Sequence, residues 1–127
     1  MRLPAEAVAA TALIEVVRIS ALPTKQGAPY PGRVVAHWAG NEASNALALI
    51  GSLPSGEQHR CGFSPGWSVR AYENSLELAL FEAAFCFNCH EIRMHGTAVP
   101  PTPATQFFDA DSPPAQALLT LFRAATP

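Results

Sequence analysis

The sequence predicts an α+β domain in two layers, a mostly antiparallel sheet with two helices packed on it. Two observations carry that reading. Ala46, Leu49, Ile50 and Leu53, and again Ala115, Leu118, Leu119 and Phe122, recur at i, i+3, i+4, i+7, the spacing of one apolar helix face. Before and between them lie β-branched or alternating runs separated by Pro- and Gly-rich segments, which read as strands and turns. At 127 residues the chain forms one domain, 1–127, long enough to bury a core without staples.

Residues 12–20, ALIEVVRIS, are β-branched and partly alternating, a first strand. PTKQGAPYPG (23–32) holds three prolines and two glycines and reads as a loop. RVVAHW (33–38) is a second strand. Asn41 offers an N-cap to the first helix, which Pro54 and Gly56 end. Residues 58–89 read as a long β-hairpin turning at Glu73-Asn74. That register sets Arg70 against Glu77, Val69 against Leu78, Trp67 against Leu80 and Cys61 against Cys86, all reasonable cross-strand pairs. Ser64-Pro65-Gly66 falls inside the first arm, where a proline that cannot donate to the ladder calls for a bulge or a local edge. The second arm, LELALFEAAFCF, puts Phe81, Phe85 and Phe87 on one face and Leu76, Leu78 and Leu80 on the other. A Pro-rich loop (99–105) then leads to the second helix, capped by Asp111 or Ser112, with Pro113 in its first turn and Arg123 near its C-terminal dipole.

Charged residues make up only 14% of the chain against 49% hydrophobic ones, so its surface is short of charge. An apolar patch serving a homodimer is the expectation. Net charge is −2 and the eight basic residues are scattered singly, which excludes the basic stripe that nucleic acid requires. Glu6 and Glu15 interrupt the apolar runs near the N-terminus. Neither a signal peptide nor a membrane span is read there, which predicts a cytoplasmic protein with reduced thiols.

The most informative stretch is FCFNCH at 85–90. Cys86 and Cys89 differ in parity and would face opposite ways along a continuous strand. They converge only if the chain turns near Phe87-Asn88, and asparagine suits such a turn. Cys61, Phe63 and Pro65, followed by Cys86, Phe87 and Cys89, resemble a family of uncharacterised bacterial proteins that pairs a Cys-x-Phe-x-Pro segment with a Cys-Phe-x-Cys segment. The resemblance spans about residues 60–122. It implies that the three cysteines belong together and implies no activity.

Several chemistries remain open for such a cluster. Cys61, Cys86 and Cys89 could supply thiolates to a structural zinc, with His59, on the strand face of Cys61, as fourth ligand and His90 in reserve. A thiol–disulfide role fits the C-x-x-C spacing, although flanking phenylalanines would raise rather than lower a thiol pKa. CFNCH also matches the pattern for covalent haem, which the missing export signal and the preceding strand disfavour. The plainest alternative is an interaction module whose cysteines are small core hydrophobes.

The remaining motifs carry less. HEIRMH (90–95) misses the zincin pattern, because Met94 stands where the second histidine belongs. Asp109 and Asp111 read as a turn and helix cap rather than a cation site. Ser64 lacks a nucleophile-elbow frame. With no phosphate loop and no paired carboxylates, no catalytic residues are assigned and the reading leans away from an enzyme.

Overall fold

The computed structural model describes residues 1–99 and 105–127. Most of the Pro-rich loop expected at 99–105 lies outside the described residues. In chain order the elements are α1 (Ala5–Ala10), β1 (Leu13–Ile19), β2 (Gly32–Ala39), α2 (Asn41–Gly51), β3 (Trp67–Tyr72), β4 (Phe81–Cys86), β5 (Glu91–His95), β6 (Thr105–Phe107) and α3 (Pro113–Ala125). The strands form one antiparallel sheet in the order β2-β1-β3-β4-β5-β6. The expected α+β architecture is present, with a short third helix added at the N-terminal end.

The helices share one side of the sheet. Ala43, Ala46, Leu47 and Ile50 of α2 and Ala115, Leu118 and Phe122 of α3 pack on Ile14, Val16, Val69, Ala71, Phe81, Ala83, Phe85, Ile92 and Met94. Phe122 is the hub: its ring centroid lies 5.7 Å from Trp67, 6.2 Å from Trp38 and 5.4 Å from Phe85. Ser112 caps α3 by accepting from the Ala115 amide, with Pro113 next to it, as the sequence predicts. For α2 the cap position is Gly40 at φ 55°, not Asn41, which is already helical. Only glycine adopts that backbone angle cheaply, and the chain must turn sharply from β2 into the helix there.

The 58–89 hairpin needs correction. Its paired part is only β3 with β4, and Arg70 lies opposite Glu82 rather than Glu77. The expected register would have set Glu82 against Pro65, burying a carboxylate with no cation. The observed one gives it Arg70, and an unpaired buried charge costs far more than a longer turn. Residues 73–80 become that turn, leaving Leu76 and Leu78 exposed instead of covered. Residues 61–66 stay irregular, so Cys61 does not face Cys86, whose cross-strand partner is Glu91.

Candidate functional site

The cysteines meet on the side of the sheet away from the helices. There Val17, Ile19, Tyr30, Phe63, Ala84, Cys86 and Cys89 form a second, smaller core. The strand ends at Cys86, residues 87–90 turn, and Cys89 folds back into the same cluster as Cys86, as an Asn88 turn requires. His90 completes the turn at φ 55°. This left-handed conformation is tied down on both sides, because the His90 carbonyl accepts from Phe108 N at 2.9 Å and its Nδ1 from Ala110 N at 3.0 Å.

Cys61, an exposed residue, is joined to the buried Cys89 as a disulfide, with their Cα atoms 5.9 Å apart. The expectation of three reduced thiols therefore does not hold for this pair; only Cys86 is free, and it is buried. The bond clasps the irregular segment before β3 to the β4–β5 turn. That segment carries Phe63, which covers the second core and lies under the Arg93 guanidinium at 4.1 Å.

His59 and Cys61 lie in no strand, so the shared strand face expected of them is absent. His59 stacks on His90, ring centroids 4.2 Å apart. Two of the three proposed thiolates are spent in the disulfide, and no group of three or more His, Cys, Asp or Glu among the described residues is arranged to hold a metal. Asp109 accepts from the Asp111 amide, the turn role expected of that pair, while the cap of α3 is Ser112.

A second feature escaped the sequence reading. His37, Glu15, Arg70, Glu82 and His95 are successive ladder partners on β2, β1, β3, β4 and β5. They make one row of alternating basic and acidic side chains across five strands. Glu82, nearly inaccessible, accepts from His95 Nε2 at 2.8 Å, Ser68 Oγ at 2.6 Å, Arg70 Nε at 3.0 Å and the Tyr30 amide at 3.1 Å. Burial pushes its pKa up, but the bonds from His95, Ser68 and Tyr30 together with the Arg70 charge outweigh it and hold the carboxyl below its usual range. Arg70 also donates to the Tyr30 carbonyl at 2.7 Å. At the other end Tyr72 donates to Glu15 at 2.7 Å; burial, and then that bond, push the phenol up to about 12.

The signal for this row was a charge inside each apolar run: Glu15 in LIEVVRI (beside the exposed Arg18), Arg70 in WSVRAY, Glu82 in FEAAFC. Such charges stay buried only when they meet. The row carries no free nucleophile, since the Ser68 hydroxyl is spent on Glu82 and that of Tyr72 on Glu15. No buried side-chain nitrogen or oxygen among the described residues lacks a partner.

No described helix is long and apolar enough to cross a membrane. Comparisons with known protein families, with curated proteins and with solved structures find no match to this chain.

Proposed function

We propose that this is a thiol–disulfide-responsive domain in which Cys61–Cys89 is a reversible clasp and Cys86 a reserve thiol. The observation that carries the reading is the asymmetry of the pair: Cys61 is exposed, Cys89 is buried, and Cys86 sits in the same apolar cluster as Cys89. A disulfide with one half on an exposed residue is a candidate for exchange. The incoming thiolate of a small dithiol attacks Cys61 Sγ, the Cys61–Cys89 bond breaks, and Cys89 leaves as a thiolate that takes up a proton. The dithiol's second sulfur then displaces Cys61, so that two protein thiols and one oxidised dithiol result. Cys89 Sγ lies 3.1 Å from the Gly62 carbonyl oxygen, where the released thiol can donate. In the cytoplasm expected from the sequence such pairs act as sensors rather than permanent staples. The family resemblance, which groups the same three cysteines, favours this reading over three unrelated core residues.

Alkylation in denaturant, before and after brief native reduction, tests it. Protein prepared without reductant should label at Cys86 alone, and the natively reduced protein at all three cysteines. Three free thiols from the outset, together with stoichiometric zinc, would return the site to the Cys61, Cys86, Cys89 and His59 metal reading. A bond reducible only after unfolding would make the disulfide purely structural.

The homodimer expected from the low charge belongs to the same reading. β2 is an edge strand that pairs with β1 alone among the described residues, and it exposes Val34. Sedimentation should give a dimer at tens of micromolar, about the range where weak dimers form.

A further inference from the structure

A cavity of about 480 Å³ opens where the ends of β1, β3 and β4 meet the C-terminal half of α3. That volume is within the range of small-molecule sites, about 300–1,000 Å³. Arg18 and Arg123 are the charged residues lining it, and no carboxylate does. In a chain of net charge −2 this is a local reversal of sign. None of the ion pairs among the described residues involves either arginine.

The Arg18 guanidinium is already positioned. It lies over the Trp67 ring at 4.4 Å from the centroid, and Nη1 donates to the Gly66 carbonyl at 2.6 Å. A Cβ on Gly66 would come within 2.9 Å of that nitrogen, so glycine there gives the guanidinium its place. One donor is spent, and the rest of the planar fork remains for a ligand. Arg123 stands in the last turn of α3, where its charge offsets the partial negative charge of the helix's C-terminal carbonyls. Phe87 supplies the aromatic wall, Trp67 lines the cavity with its faces already taken by Arg18 and Phe122, and Asn88 and Ser64 supply neutral polar groups. Two other cavities are larger, and their charged groups are largely committed: beside the ionic row, in about 570 Å³, Arg70, Glu82 and His95 are spent on one another, and in about 530 Å³ lined by Lys25, Arg93 and His95, Arg93 pairs with Glu91 and His95 with Glu82.

We infer that the Arg18–Arg123 cavity binds a small organic anion, an oxyanion carried on a flat apolar body, with the guanidinium groups holding the oxyanion and the body lying against the aromatic wall. Charge-assisted bonds from guanidinium to carboxylate or phosphate are among the stronger recognition contacts. The inference concerns the oxidised protein as it stands and does not depend on the disulfide being reversible.

The test is titration of the full chain with naphthyl phosphate, naphthoate and uncharged naphthalenemethanol, followed by calorimetry and by the Trp67 indole resonance. At least one anion should bind and shift that resonance, at least about tenfold more tightly than the alcohol, the equivalent of roughly 1.4 kcal/mol. Tighter phosphate binding assigns a phosphate ester as the ligand class, and tighter naphthoate a carboxylate. Arg18→Gln and Arg123→Gln, both at exposed positions, should each weaken the anion about tenfold or more. Arg33→Gln removes an equal charge from β2 outside the cavity and should bind like the parent. No binding of either anion, equal binding of the alcohol, or the same loss in Arg33→Gln as in the cavity variants would overturn the inference.

Discussion

A carboxylate as deeply buried as that of Glu82 survives because four donors meet its two oxygens. Glu82→Ala takes the acceptor from Ser68, His95 and the Tyr30 amide and leaves Arg70 only Glu15 and the Tyr30 carbonyl, and should cost about 3–5 kcal/mol in urea unfolding, the range for breaking a buried pair. Glu82→Gln, which keeps the shape and loses the charge, should cost less. Because the folded pKa of Glu82 is depressed, its contribution is complete above its ordinary carboxyl value and disappears as pH falls through the lower folded one. The parent should therefore lose stability on acidification below about 4.5, more steeply than Glu82→Gln. The tyrosines run the other way. Tyr72 ionises at about 12 in the folded protein, and burial raises Tyr30 as well. The contribution of Tyr72 is present below its ordinary value of 10.0 and is lost as pH rises from there through about 12. Tyrosinate absorbance should show neither phenol titrating at its ordinary value while the fold persists.

Among the elements, α3 is the one whose loss the core can least absorb. Phe122 stands against both tryptophans and Phe85, and Phe122→Ala should cost about 3–5 kcal/mol with a change in tryptophan emission. At the end of β5, Gly96 holds φ 136°, and an added Cβ would lie 2.7 Å from Phe81 Cα. Gly96→Ala should then destabilise by at least about 2 kcal/mol, through backbone strain and the clash together. These elements differ in how far the sequence discloses them. The apolar stripes of α2 and α3 are local, so their spacing gives each helix, although Leu53 falls past the end of α2, and of the two cap candidates, Asp111 and Ser112, the structure uses Ser112. Strand pairing is not local. Arg70 had two acidic candidates, Glu77 and Glu82, and the choice turned on burial and on His95 from a strand that the HEIRMH reading had not treated as one. Ile92 and Met94 alternating with Arg93 and His95 was the available signal for β5, while β6 and α1 are too short to leave one. The cysteine site was legible as a gathering of thiols, but the misplaced register offered Cys86 to Cys61 where the turn delivers Cys89.

For the molecule as a whole, the disulfide closes a loop across a sequence separation of 28, worth about 3–4 kcal/mol on a chain-entropy basis. The double variant Cys61→Ser/Cys89→Ser should melt about 10 °C or more below the oxidised parent. The same clasp ties together two walls of the anion cavity, the Phe63–Gly66 segment that follows Cys61 and the Phe87-Asn88 turn that precedes Cys89. Reduction should accordingly weaken naphthyl phosphate or naphthoate, whichever the oxidised protein binds more tightly. Equal affinity in both redox states would separate the cavity from the clasp.

The placement of β1 between β2 and β3 has a consequence for how the protein is made. Both neighbours are antiparallel to β1, so β2 and β3 run parallel and are joined across it by the stretch containing α2. On a ribosome the β1–β2 hairpin can close as soon as it emerges, but the second edge of β1 waits for Trp67–Tyr72. Until then Leu13, Ile14, Val16, Val17 and Ile19 sit beside a bare row of amides and carbonyls, a template for pairing with another nascent chain. A truncated chain ending after α2 should scatter light at concentrations where the full chain stays clear, and the yield of folded protein should fall as translation through residues 52–66 is slowed.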